Sequence, residues 1–155
     1  GVPVITTSLG NSVDAKEDSE IIIAKTPDEF VKSIKKMLED EKFYNSISEN
    51  ARKLGEILIP GLKKIRGKYP DVLGCVQGRG LVAGIQAVEK GTKIPDSNLA
   101  LAINEKCFQK GLLMFAPVGI GGECIKIAPP LIITEYAVRE GLAVLEEACD
   151  EVLGK

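Results

Sequence analysis

The chain has 155 residues, 45% of them hydrophobic and 27% charged, and its 20 basic and 22 acidic side chains leave a net charge of −2. That is the balance of a globular domain, long enough to bury about two-thirds of its unfolded surface. With no basic stripe, no Trp, three Tyr and four Phe, it offers nucleic acid little to bind. No apolar run approaches the ~18 residues of a membrane span, and Gly1-Val2-Pro3-Val4 lacks the charged start of a signal peptide. Histidine is absent, which removes the commonest general base and the usual zinc ligand. Cys75, Cys107, Cys124 and Cys149 stand far apart among apolar neighbours. They read as buried free thiols of a cytoplasmic protein rather than as disulfides or a metal site.

Residues 1–7 and Ile21–Ala24 read as short buried strands, separated by a polar loop from Ser8 to Ser19. Thr26-Pro27-Asp28-Glu29 then opens a helix: Thr26 caps, Pro27 suits the first position, and Glu29 stands where a capping box needs it. Phe30, Val31, Ile34, Met37 and Leu38 form its apolar stripe, with Lys32, Lys35 and Lys36 on the wet side. A second apolar face recurs at steps of three and four from Lys42 to Lys68. Pro60 predicts a kink near Ile59 or a split into two helices, and Gly55 and Gly61 weaken the helix further. Val72–Val76 and Leu81–Val88 read as strands around the turn Gln77-Gly78-Arg79-Gly80. Ser97 is expected to cap a helix that Gly111 ends in the left-handed conformation. Leu112–Ala116 and Cys124–Ala128 read as strands on either side of the turn Val118–Gly122. Thr134 caps a last helix whose stripe, Val138, Leu142, Leu145, Cys149 and Val152, is expected to lie on a sheet. The predicted class is α+β, with helices packed on a mainly antiparallel sheet and a β/α extension at the N-terminus.

Three runs stand in one order and spacing: Gly78-Arg79-Gly80-Leu81-Val82-Ala83-Gly84-Ile85-Gln86, Lys110-Gly111-Leu112-Leu113, and Ile125-Lys126-Ile127-Ala128-Pro129-Pro130-Leu131-Ile132-Ile133-Thr134. From about residue 50 to 153 they resemble the small C-terminal domain of class III pyridoxal-phosphate aminotransferases, the acetylornithine, ornithine and 4-aminobutyrate type. Residues 1–50 instead resemble the tail of a GT-B glycosyltransferase. The chain therefore reads as two segments, 1–50 and 51–155. A natural fusion, an engineered chimera and a truncated gene product are each compatible with the join.

The resemblance implies amino-group transfer between an amino acid or amine and a 2-oxo acid. In the family the cofactor-bonding lysine, the carboxylate facing the pyridine nitrogen and the phosphate cradle belong to the large domain. No lysine here stands in a matching motif. The expectation is an incomplete transaminase that is not catalytic alone and binds no pyridoxal phosphate by itself. Lys126 occupies the position where many relatives carry a substrate-gripping arginine. It is either a carboxylate contact, with one point charge in place of a two-pronged guanidinium, or a lysine on the solvent face of a strand. Arg79 is the second candidate substrate contact; it could equally tie neighbouring backbone at a tight turn or meet another domain. Gly119–Gly122 is either a hairpin connection or a substrate-side loop. The acids Asp28, Glu29, Glu39, Asp40 and Glu41 fit helix-end pairing and solvation. An apolar stripe left uncovered would favour homo-oligomers. The alternatives to a transaminase piece are a binding or assembly module and a sugar-nucleotide-binding remnant.

Overall fold

A computed structural model describes residues 5–6, 22–130 and 133–154. The expected loop from Ser8 to Ser19, residues 1–4 and Leu131-Ile132 lie outside the described residues. The described elements are β1 (Ile5–Thr6), β2 (Ile22–Ile23), α1 (Pro27–Glu39), α2 (Glu41–Lys68), β3 (Leu73–Arg79), β4 (Val82–Ala87), α3 (Ser97–Gln109), β5 (Cys124–Ile127) and α4 (Glu135–Leu153). β1 and β2 pair in parallel, while β3, β4 and β5 form an antiparallel sheet in that order. The class is α+β. No helix among the described residues is long and apolar enough to cross a membrane.

Local chemistry sets the helix ends. Thr26 Oγ1 accepts the Glu29 amide at 3.3 Å, and Glu29 Oε2 accepts the Lys25 amide at 2.6 Å, one residue ahead of the cap. Asp40 caps α2 by accepting from Phe43 N at 3.0 Å. At α3 the cap is Asp96, which accepts from Leu99 N at 2.9 Å, so Ser97 is the first helical residue and not the cap. A carboxylate outcompetes the neighbouring hydroxyl for these amides at the positive helix end. Gly111 follows α3 with φ 88°, as expected, and Thr134 Oγ1 caps α4 at 3.2 Å.

α2 runs unbroken through Pro60, so the split into two helices expected there does not occur. Pro60 lies on the exposed face, where water can take the carbonyl its missing N–H leaves free. The glycines beside it are packing sites. A Cβ on Gly55 would stand 2.5 Å from Gly80 Cα, and one on Gly61 would stand 2.4 Å from Leu142 Cδ1. Helix α2 thus approaches the β3–β4 turn and helix α4 more closely than a side chain allows. That turn is also tighter than expected. Pairing continues to Arg79↔Val82, leaving only Gly80, at φ 59°, and buried Leu81 in it.

The core face of the sheet carries Leu73, Ala83, Ile85, Ala87 and Ile125, packed with Leu54, Leu58, Leu62 and Ile65 of α2 and Ala100, Ile103 and Cys107 of α3. α4 packs chiefly on α2 and α3, not on the sheet as its stripe suggested. Two rows of acids hold it there. Glu146 and Asp150 meet Lys68 of α2 at 2.8 and 3.1 Å, and Asp150 also accepts from the Tyr69 hydroxyl. Glu147 and Glu151 meet Lys110, at the end of α3, at 3.2 and 2.5 Å.

Leu112–Ala116 forms no ladder, against expectation. It runs extended, with Leu112 and Met114 half-buried and Leu113 and Phe115 exposed, so the period-two alternation is real but no described strand lies beside it. Beyond it, Val118 and Cys124 exchange amide bonds of 2.9 and 2.8 Å and close the hairpin.

Candidate functional site: a groove beside the third sheet strand

A concavity of about 660 Å³ opens between α2, α4 and the extended stretches 112–115 and 126–130. Leu58 and Leu62 form its floor with Val138, Leu142 and Leu145 of α4, and Met114, Phe115, Ile127 and the Pro129-Pro130 step form its near side. Among the described lining residues only Lys126 is charged. Its Nζ stands 5.3 Å from the centre of the Phe115 ring. It forms no ion pair among the described residues.

The register explains why Lys126 is not in the core. Gln77, Gly84 and Lys126 stand opposite one another across the three strands, so they share the outer face. Arg79 lies two residues beyond Gln77 and shares that face too. By ordinary sheet spacing Arg79 and Lys126 are about 12 Å apart at Cα, and only Lys126 lines the groove. The structure therefore sets one candidate at the groove and leaves the other, exposed, outside it. Among the described residues Arg79 makes no hydrogen bond to neighbouring backbone. That bond is made by Arg66, whose Nε donates to Gly74 O at 2.8 Å beside the bulge of β3.

The Gly119–Gly122 turn carries its own support: Glu123 Oε2 accepts from Gly121 N at 3.0 Å, and Ile120 is fully exposed at the tip. All four thiols are free, but only Cys107 and Cys149 are buried; Cys75 is exposed and Cys124 half-buried. The expectation of four buried thiols fails at Cys75 and in part at Cys124, because both stand on the uncovered outer face of the sheet, Cys75 on its edge strand β3. Burial pushes Cys107 up to about 11 and Cys149 up to about 12, which makes both poor nucleophiles at neutral pH. Cys124 is also raised, by burial first and then by Glu123. No cluster of metal-ligating side chains occurs among the described residues.

The groove was hidden in the sequence because Leu58, Leu62 and Leu142 follow the same helical steps as ordinary core positions. The alternation at Leu112–Phe115 marks a strand but not the missing neighbour.

The class-III aminotransferase family model matches residues 30–149. The chain belongs to that family. The match begins ahead of the expected boundary near residue 50. Diaminobutyrate–2-oxoglutarate transaminase of Wolinella succinogenes is 38% identical over 97 residues, which are 63% of this chain and 21% of that protein. An alanine/serine racemase of Pyrococcus horikoshii is 30% identical over 108 residues, 70% of this chain and 22% of that protein. Among solved structures, a transaminase from the marine bacterium Virgibacillus superposes with a TM-score of 0.63 at 26% identity, covering 80% of this chain and 28% of that one. The class-III chain thus spans about a fifth of the length of these curated relatives.

Pyridoxal phosphate is the family's cofactor, and the described residues do not fit it. The groove has a single cation and no acid, and no polar or charged residue is buried anywhere among the described residues. A dianionic phosphate and a pyridinium nitrogen would both lie against hydrocarbon.

Proposed function

We propose that this chain contributes the C-terminal portion of a class-III enzyme that moves an amino group between an amine or amino acid and a 2-oxo acid, and that it does not turn over alone. The observation that carries this reading is a groove in which Lys126 is the only charged side chain among the described residues, in a chain the family model matches from 30 to 149. A wall of this kind orients a substrate and excludes water, while the bond-making groups come from elsewhere. Lys126 meets the substrate carboxylate as a point charge; Arg79 acts only on a group reaching the outer sheet face. The free thiols, with Cys75 exposed, support a reducing, cytoplasmic setting.

The test is a graft. Residues 50–153 replace the matching segment of the Wolinella succinogenes transaminase, and transfer to 2-oxoglutarate is assayed. Measurable transfer is expected, with Lys126→Arg lowering KM several-fold because a guanidinium binds a carboxylate through two bonds. A folded, cofactor-loaded graft with no transfer contradicts the reading.

α1 favours a second reading, that of an assembly module. Its apolar face is uncovered, with Val31, Ile34 and Leu38 at 52%, 45% and 81% exposure, a surface that supports self-association. Light scattering decides this: a strict monomer at high concentration removes it. A sugar-nucleotide-binding remnant in residues 1–50 has only the sequence resemblance behind it, and the class-III match from residue 30 takes in part of that segment. Calorimetry showing no heat with UDP- or GDP-sugars would count against a retained sugar-nucleotide site.

A further inference from the structure

One edge of β5 is open. Ala87 N donates to Glu123 O at 2.8 Å, so the odd-numbered residues of β5 bond to β4. Bonding direction alternates along a strand, and Cys124, Lys126 and Ala128 therefore turn their backbone groups to the other side. There Val118 takes both bonds of Cys124, at 2.9 and 2.8 Å, and the pairing stops. Among the described residues no backbone hydrogen bond joins Met114–Ala116 to Lys126 or Ala128.

The Val118–Cys124 pair fixes what a continued ladder would bring together: Ala116 opposite Lys126, then Met114 opposite Ala128. Pro117 falls opposite Ile125 and Pro129 opposite Leu113, where backbone groups face away from the partner strand, so neither proline blocks the ladder. Pro130 falls at the next bonded position and would end it. Such a ladder turns the segment over. Leu112 and Met114 now pack on the core, while Leu113 and Phe115 are 79% and 61% exposed. Paired with β5, Leu113 and Phe115 would share the face of Ile125 and Ile127, toward the groove, and Met114 the outer face of Lys126. The run Leu112-Leu113-Met114-Phe115 is apolar on both faces, so either face can lie inward.

We propose that residues 112–116 are a strap with two seats: the open one described, and a closed one in which the segment zips onto β5 and lays Leu113 and Phe115 into the groove. Any apolar surface could cover the groove; the fixed register and the placing of both prolines single out this segment. A closed strap excludes other occupants, so it controls access to the groove. Exchange of amide hydrogens reports the strap without substrate or cofactor, and the graft reports amino-group transfer without the strap, so either reading can fail alone.

That exchange is measured on the full chain by NMR at the Lys126 and Ala128 amides. Met114→Gln makes polar a side chain that the open seat packs on the core, and it is expected to slow Lys126 exchange about tenfold; Phe115→Gln makes polar one that the closed seat buries, and it speeds exchange by a similar factor. Val118 and Cys124 keep their protection in both variants. A contact between the α-hydrogens of Phe115 and Ile127, the mark of a non-bonded antiparallel pair, accompanies the slowing in Met114→Gln. Phe115 is exposed in the open seat, so Phe115→Gln folds and decides the matter even where Met114→Gln does not fold. Unchanged exchange in Phe115→Gln, shifts of one sign in both variants, or slowing without the α-hydrogen contact overturns the proposal. So does protection that grows with protein concentration, since a second copy would then hold the edge.

Discussion

At the scale of single residues, Gly55 sets two effects against each other. Helix propensity alone says that Gly55→Ala stabilises α2 by about 1 kcal/mol. The contact says otherwise, because the new Cβ meets Gly80 backbone at 2.5 to 2.7 Å. Backbone yields less than a side-chain tip, so overpacking of about 1–3 kcal/mol wins. Urea unfolding of Gly55→Ala is expected to show a net loss, and a gain in midpoint would refute the close approach. Thiol chemistry gives a second check. Ellman's reagent is expected to label exposed Cys75 promptly, with Cys107 and Cys149 reacting only on unfolding because burial holds both thiols protonated. Prompt labelling of a Cys75→Ser variant at the two buried positions would contradict the core described.

At the scale of elements, α4 is fixed by lysines on both of its flanks. The Lys68 bond holds the Glu146 carboxyl below its ordinary 4.5, and the Lys110 bond does the same to Glu151. A depressed carboxyl adds stability above its unfolded value, and that stability is lost as pH falls through the folded one. The chain should therefore lose stability below pH 4.5. Lys68→Met should be less stable at neutral pH but should lose less on acidification, as read from urea midpoints at neutral pH and near pH ~3.5. An acid limb as steep as the parent's would show that the bridge does not matter.

Lys68 and Lys110 are raised by the same bonds, so their share persists below the unfolded value of 10.5 and fades only in strong alkali. The caps at Thr26 and Thr134 were legible because one side chain and three residues determine them. The continuity of α2 through Pro60 was not, because it depends on which face of the helix meets water. Nor were Gly55 and Gly61, which look like weak points until Gly80 and Leu142 arrive from distant parts of the chain. Asp96, one residue ahead of Ser97, shows how far local rules reach: the cap was expected at the right turn and the wrong residue.

At the scale of the molecule, the order of sheet and helices followed from periodicity, and the three motif runs led to the right family. The groove did not follow. It exists because Leu112–Ala116 has no described strand beside it and α4 crosses α2 and α3 instead of the sheet. Lys126 could be read as a strand lysine, but its position at an apolar rim required the register of β4 and β5. This arrangement offers a wall and not a cofactor site. Pyridoxal phosphate titration of the full chain, followed by borohydride trapping and peptide mapping, tests that most directly. Only weak, scattered modification of exposed lysines, with no saturation, is expected. A saturable one-to-one absorbance change trapped on a single lysine would contradict it.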